Sequence, residues 1–151
     1  MADLFNQDFI EFIDALNKSQ VEYILVGGYA VILHGYTRTT GDMDVWVNKT
    51  LENYNKLKQA YNLFGAPIFS EEEFIETDFD VWGIGKEPNR IEILKQLKGV
   101  TFEEAYPLCK TFIQNDVEVK YLHINHLIQA KEAAARAKDK NDIEQLRKTK
   151  P

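Results

Sequence analysis

Asp42 and Asp44 stand one residue apart in the run Gly-Asp-Met-Asp-Val-Trp-Val, at the head of an apolar stretch with strand character. Side chains at i and i+2 of a strand leave the same face. The two carboxylates therefore project side by side, while Met43 and Val45 turn the other way. At about 5 Å two such charges repel by about 3 kcal/mol at an effective dielectric of 20. A solvated strand end would tolerate the pair, and so would a bound divalent cation. Mg2+ takes carboxylate oxygens at about 2.1 Å and keeps positions open for phosphate oxygens. In a partly desolvated cleft without metal, one of the two aspartates should have a raised pKa. Upstream, Val-Glu-Tyr-Ile-Leu-Val-Gly-Gly ends on Gly27 and Gly28. Glycines at a strand-to-helix junction allow a sharp turn and a close approach of backbone to ligand. The helix that follows turns free N–H groups toward anions such as phosphate. A tight turn with no ligand accounts for the same two residues.

These residues need elements to hold them. Phe9, Phe12, Ile13 and Leu16 recur at helical spacing and predict a first helix over residues 7–18. A buried strand then runs into Gly27-Gly28, a short helix stops near Gly35, and a second strand carries the aspartates. Asn48 and Thr50 offer caps for a helix over residues 51–63. Phe-Asp-Val-Trp-Gly-Ile-Gly and Asn-Arg-Ile-Glu-Ile-Leu-Lys predict two strands around a turn. A short helix is expected over residues 102–108, then a hairpin around Asn115-Asp116. The tail is helical from about His123, with a break near Lys138. The expected fold class is α/β (α+β): a mixed central sheet flanked by helices, with two helices closing the chain. One domain over residues 1–151 is expected, since no repeat or linker interrupts the pattern.

Composition narrows the partners. The net charge is −6 and the pI about 5.1, so there is no general attraction to nucleic acid or anionic membranes. Any nucleotide or RNA site must be a local positive pocket or use a metal. Cys109 is the single cysteine, which excludes an internal disulfide and points to a reducing cytoplasm. Asp3 and Asp8 do not suit a signal peptide, and the apolar stretch Tyr23 to Leu33 falls short of the roughly 18 residues that span a membrane. The three histidines lack metal-ligand spacing and Cys109 has no Cys-x-x-Cys partner, which argues against a zinc site and a thiol enzyme.

The order of the pieces is informative. A Gly-Gly helix start (Gly27, Gly28) precedes Arg38, Thr39 and Thr40, and then Asp42 and Asp44 on the next strand. This resembles the nucleotidyltransferase superfamily of polymerase-beta-like fold. The approach Arg-Thr-Thr-Gly-Asp-Met-Asp is similar to that of small bacterial members, including abortive-infection-type toxins. The tail Leu-Ile-Gln-Ala-Lys…Arg-Ala-Lys-Asp-Lys-Asn-Asp-Ile-Glu-Gln-Leu resembles their C-terminal helices. The likeness runs from about Tyr23 to Leu146.

The resemblance implies a metal-dependent transfer of a nucleoside monophosphate from an NTP, with Mg2+ or Mn2+ held by Asp42, Asp44 and a third carboxylate from a later strand. Glu92, in Arg-Ile-Glu-Ile-Leu-Lys, matches that position, with Asp80 as the second candidate. The family position is usually aspartate, so Glu92 is a departure: its extra methylene makes the carboxylate reach further and fixes it less. Gly27, Gly28, Arg38, Lys131 and Lys138 are the expected nucleotide-binding residues. Lys131 and Lys138 lie seven apart and would share one helix face. Asp139 and Asp142 fit the cap and first turn of the last helix equally well. The acceptor is left open among RNA, a protein side chain and a small-molecule hydroxyl, and an antitoxin is an expected partner. The alternative is a catalytically weakened member of the same fold, acting as a binding or regulatory module.

Overall fold

The computed structural model describes residues 3–77 and 81–150. The apolar stripe of α1 (Gln7–Lys18) buries Phe9, Phe12, Ile13 and Leu16, and Asn6 caps it by accepting the Phe9 N–H at 2.9 Å. Strand β1 (Tyr23–Val26) is buried at every position and runs straight into the short α2 (Gly27–Leu33). Strand β2 (Met43–Val47) carries Asp44, while Asp42 precedes it. Thr50 Oγ1 accepts the Asn53 N–H at 3.1 Å to start α3 (Leu51–Phe64), and Gly65, at φ 92°, ends it. The helix α4 (Glu71–Glu76) falls where the sequence pattern predicts no element. Its signal is the reciprocal cap between Ser70 and Glu73.

Strands β3 (Val81–Ile84) and β4 (Ile91–Leu94) pair antiparallel, as the turn between them predicts. The expected short helix over 102–108 divides into α5 (Phe102–Ala105) and a 3-10 turn, Tyr106–Leu108. The hairpin of β5 (Lys110–Gln114) and β6 (Val117–Tyr121) turns at Asn115 and Asp116, whose φ values are 51° and 65°. The chain closes with α6 (Ile124–Ala134) and α7 (Ala137–Thr149). Their break lies at Ala135, at φ 55°, three residues before the expected Lys138. Lys131 and Lys138 therefore sit on different helices and share no helix face.

The six strands form one mixed sheet in the order β3-β4-β2-β1-β6-β5. Pairs β2/β4 and β1/β6 are parallel, and the other three are antiparallel. Alternation along β2 divides the core. Met43, Val45 and Val47 pack with α1 and α3 on one face. Trp46 joins Ile24, Val26 and apolar residues of α5, α6 and α7 on the other. Asp44 shares that second face, under the helices that close the chain. Among the described residues no helix is long and apolar enough to cross a membrane.

Candidate active site

Register builds the acidic half of the site. Val26 of β1, Asp44 of β2, Glu92 of β4 and Gly83 of β3 are successive Cα partners across four strands. Because β2 and β4 run parallel, a residue far along the chain comes to lie beside Asp44. Gly27 follows Val26 at φ 71°, a conformation that favours glycine. A Cβ there would also collide with Asp44 Oδ2. Gly27 thus frees the space that the carboxylate occupies. Gly28 abuts the loop before β2, where an added Cβ would meet the Thr40 side chain.

Burial pushes the Asp44 carboxyl up to about 7, reinforced by the charge and a hydrogen bond of Glu92 and then by Asp42, with Lys138 opposing. Glu92 is thus the larger charge partner of Asp44, ahead of its sequence neighbour. Asp42 Oδ1 is buried and has no hydrogen-bond donor among the described residues. Glu87, from the turn between β3 and β4, lies against Asp42. Its carboxyl is also pushed up, first by a side-chain hydrogen bond with Asp42. Nothing in the sequence spacing marks Glu87, since the turn alone brings it there. Asp80 lies outside the described residues.

Among the described residues no three His, Cys, Asp or Glu side chains stand ready-made as a metal-ligand set. The donor chemistry nonetheless suits a hard divalent cation such as Mg2+ or Mn2+. Asp44 and Glu92 are in contact, and the buried Asp42 Oδ1 has an acceptor's need and no donor among the described residues.

The tail supplies the opposite charge. Asp139 and Asp142 are 0% and 3% exposed, so each must be paired. Asp142 Oδ2 accepts from Arg38 Nη1 at 2.7 Å and lies 3.0 Å from Lys131 Nζ. Asp139 Oδ1 lies 3.5 Å from Lys131 Nζ, and Asp139 Oδ2 accepts from Arg136 Nε at 2.7 Å and from the Arg136 backbone N–H at 3.1 Å. Asp139 therefore does cap α7, and it also anchors two cations. The network ties the loop before β2 to both closing helices and absorbs the charge of Lys131. Lys138 is exposed and lines the cleft. Arg136 and Lys98 line it too, although neither was singled out from the sequence. For Arg136 a signal was available in the Arg-x-Lys-Asp run of the tail.

The two halves face each other across a cleft of about 590 Å3 that Gly27, Gly28, Arg38, Asp42, Asp44 and Glu92 line. Leu94, Leu97, Leu127, Ala130 and Ala134 add an apolar wall. The arrangement can take a cation on its acidic floor and an anion along its basic rim. The sequence matches the family described as "Nucleotidyltransferase of unknown function (DUF6036)" over residues 6–148. The chain belongs to this nucleotidyltransferase family. Its fold is similar to that of the lincosamide antibiotic adenylyltransferase LnuA in its lincomycin-bound crystal structure. The TM-score is 0.62 at 15% identity, over 99% of this chain and 100% of that one. It is also similar to a putative nucleotidyltransferase, TM1012, from Thermotoga maritima, at TM-score 0.59 and 11% identity over 94% of this chain and 91% of that one. At these identities the likeness reports the fold, and the nucleotidyltransferase's α/β architecture with a mixed sheet agrees with it. No curated protein matches the chain.

Proposed function

We propose that this nucleotidyltransferase moves a nucleoside monophosphate from an NTP to an acceptor group, with Mg2+ or Mn2+ held by Asp42, Asp44 and Glu92. The observation that carries the reading is the register pairing of Asp44 with Glu92 beside the buried Asp42 Oδ1, which has no partner among the described residues. When bound, the cation neutralises phosphate oxygens and stabilises charge that develops at phosphorus. The chain's own residues do the rest. Gly27 and Gly28 let the phosphates approach the backbone at the start of α2. Lys138, with Arg136 on the same rim, meets the triphosphate charge. Arg38 and Lys131 serve the nucleotide through Asp142, which binds the loop before β2 to the closing helices. Glu92 accepts the proton of an attacking hydroxyl.

The acceptor belongs to one of three classes: RNA, a protein side chain or a small-molecule hydroxyl. The lincosamide adenylyltransferase of similar fold favours the third. The resemblance of the tail to that of abortive-infection-type proteins supports a toxin role in the cytoplasm, as one domain with an antitoxin partner. The second reading, a site that binds nucleotide without transferring it, draws on the ion pair that Glu92 makes with Arg90. Incubation with each labelled NTP and cell extract separates the two. Label should move to an acceptor with Mg2+ and not with EDTA. NTP that binds but is never consumed would favour the module.

The contact at Gly28 makes a further expectation. In Gly28→Val the new side chain displaces Thr40 and narrows the phosphate approach. NTP affinity should fall about tenfold, near 1.4 kcal/mol, with the circular dichroism of a folded chain. Unchanged affinity in the folded variant removes the phosphate role.

A further inference from the structure

Gly83 stands inside β3, where glycine weakens a strand because it has no side chain to pack and loses more entropy on ordering. Its backbone does not require glycine, since its φ lies outside the left-handed region. What fills the missing side chain's place is Arg90. A Cβ on Gly83 would collide with Arg90 Nη2 and Cζ, and would lie 2.7 Å from Nη1. Arg90 is two residues before Glu92, so both leave the same face, and Gly83 is the register partner of Glu92. Arg90 Nε donates to Glu92 Oε1 at 3.2 Å. The Arg90 carbonyl accepts the Met43 N–H at 3.1 Å, which pins the start of β4 beside Asp42. The two side chains are 38% and 27% exposed, and an ion pair that wet contributes little to stability. Its consequence is orientation.

We infer that Arg90 is a positioning residue for Glu92: seated over Gly83, its guanidinium holds Oε1 and turns the long glutamate side chain toward Asp44. This rests on the metal site proposed above. It also accounts for glutamate at a position where a shorter aspartate would need less fixing, because the extra rotatable bond is restrained from the side. Groups that hold a ligating carboxylate in this way change metal affinity by about 10- to 100-fold when removed. Arg90 also brings a positive charge near the cation, so the decisive variant is one that keeps the charge and moves the guanidinium. Gly83→Ala does that.

The test is a calorimetric titration of the full chain with Mn2+, beside melting temperature and the KM for NTP. Gly83→Ala and Arg90→Ala should each weaken Mn2+ binding about tenfold, and the double variant no more than the weaker single. At saturating Mn2+ the KM for NTP should stay within about twofold, a split that a merely structural role would not give. If Gly83→Ala does not fold, Arg90→Lys replaces it: lysine keeps the charge and lacks the planar fork, so the same loss is expected. Wild-type affinity in a folded Gly83→Ala or Arg90→Lys, or two losses that multiply, overturns the positioning role. Glu92→Gln serves as the control. If it binds Mn2+ as wild type does, the metal site itself falls and the inference with it. If Glu92→Gln is weak and the charge-preserving variant is not, only the inference falls.

Discussion

Asp44→Asn and Asp42→Ala should each lower nucleotidyl transfer by about 100- to 1,000-fold, the scale for removing a group that stabilises charge at the reacting centre. Asp44 is the stronger case. It touches Glu92 across the β2/β4 pair, and Gly27 leaves room for its carboxylate. Label incorporated from NTP into the acceptor, measured with saturating Mg2+, reads the effect. The asparagine keeps shape and volume, so circular dichroism should not change. Rates within about twofold of wild type in both variants would leave the buried pair without a catalytic role and remove the transfer reading.

The same substitution should have the opposite effect on the metal-free fold. Below pH about 4 the Asp44 carboxyl is protonated in both folded and unfolded chains and contributes nothing. As pH rises toward 7 the unfolded chain ionises while the folded one resists, because burial and Glu92 hold the carboxyl up to about 7. Stability therefore falls across that window, and above it the cost is complete, at most about 4 kcal/mol. Asp44→Asn has no such group. In EDTA at pH 8 it should melt roughly 10 °C above wild type, at roughly 3 °C per kcal/mol for a chain of this size. At pH 4 the difference should vanish. Millimolar Mg2+ or Mn2+ should raise the wild-type melting temperature and leave the variant's nearly unchanged. A variant that melts at or below wild type in EDTA at pH 8 would overturn the desolvated-carboxylate account.

The sequence by itself determined what depends on near neighbours along the chain. The stripe Phe9, Phe12, Ile13, Leu16 specified α1, the apolar run before Gly27 specified β1, and Asn115-Asp116 specified the last hairpin. Alternation placed Asp42 and Asp44 on one face, and the order of Gly-Gly, Asp-x-Asp and tail motif was enough for the family. Only the tertiary structure decided what depends on partners distant in sequence. The β2/β4 register made Glu92, rather than Asp42, the main charge beside Asp44. The turn after β3 brought up Glu87, and the Arg90 guanidinium took the place of a side chain at Gly83. Helical spacing put Lys131 and Lys138 on one face, yet the buried Asp139 and Asp142 each needed cations. Satisfying them drew in Lys131, Arg38 and Arg136 around a break at Ala135. A periodicity records which residues face the core. It carries no information on which buried charge a given cation must neutralise, because that is settled by desolvation once the helices are packed.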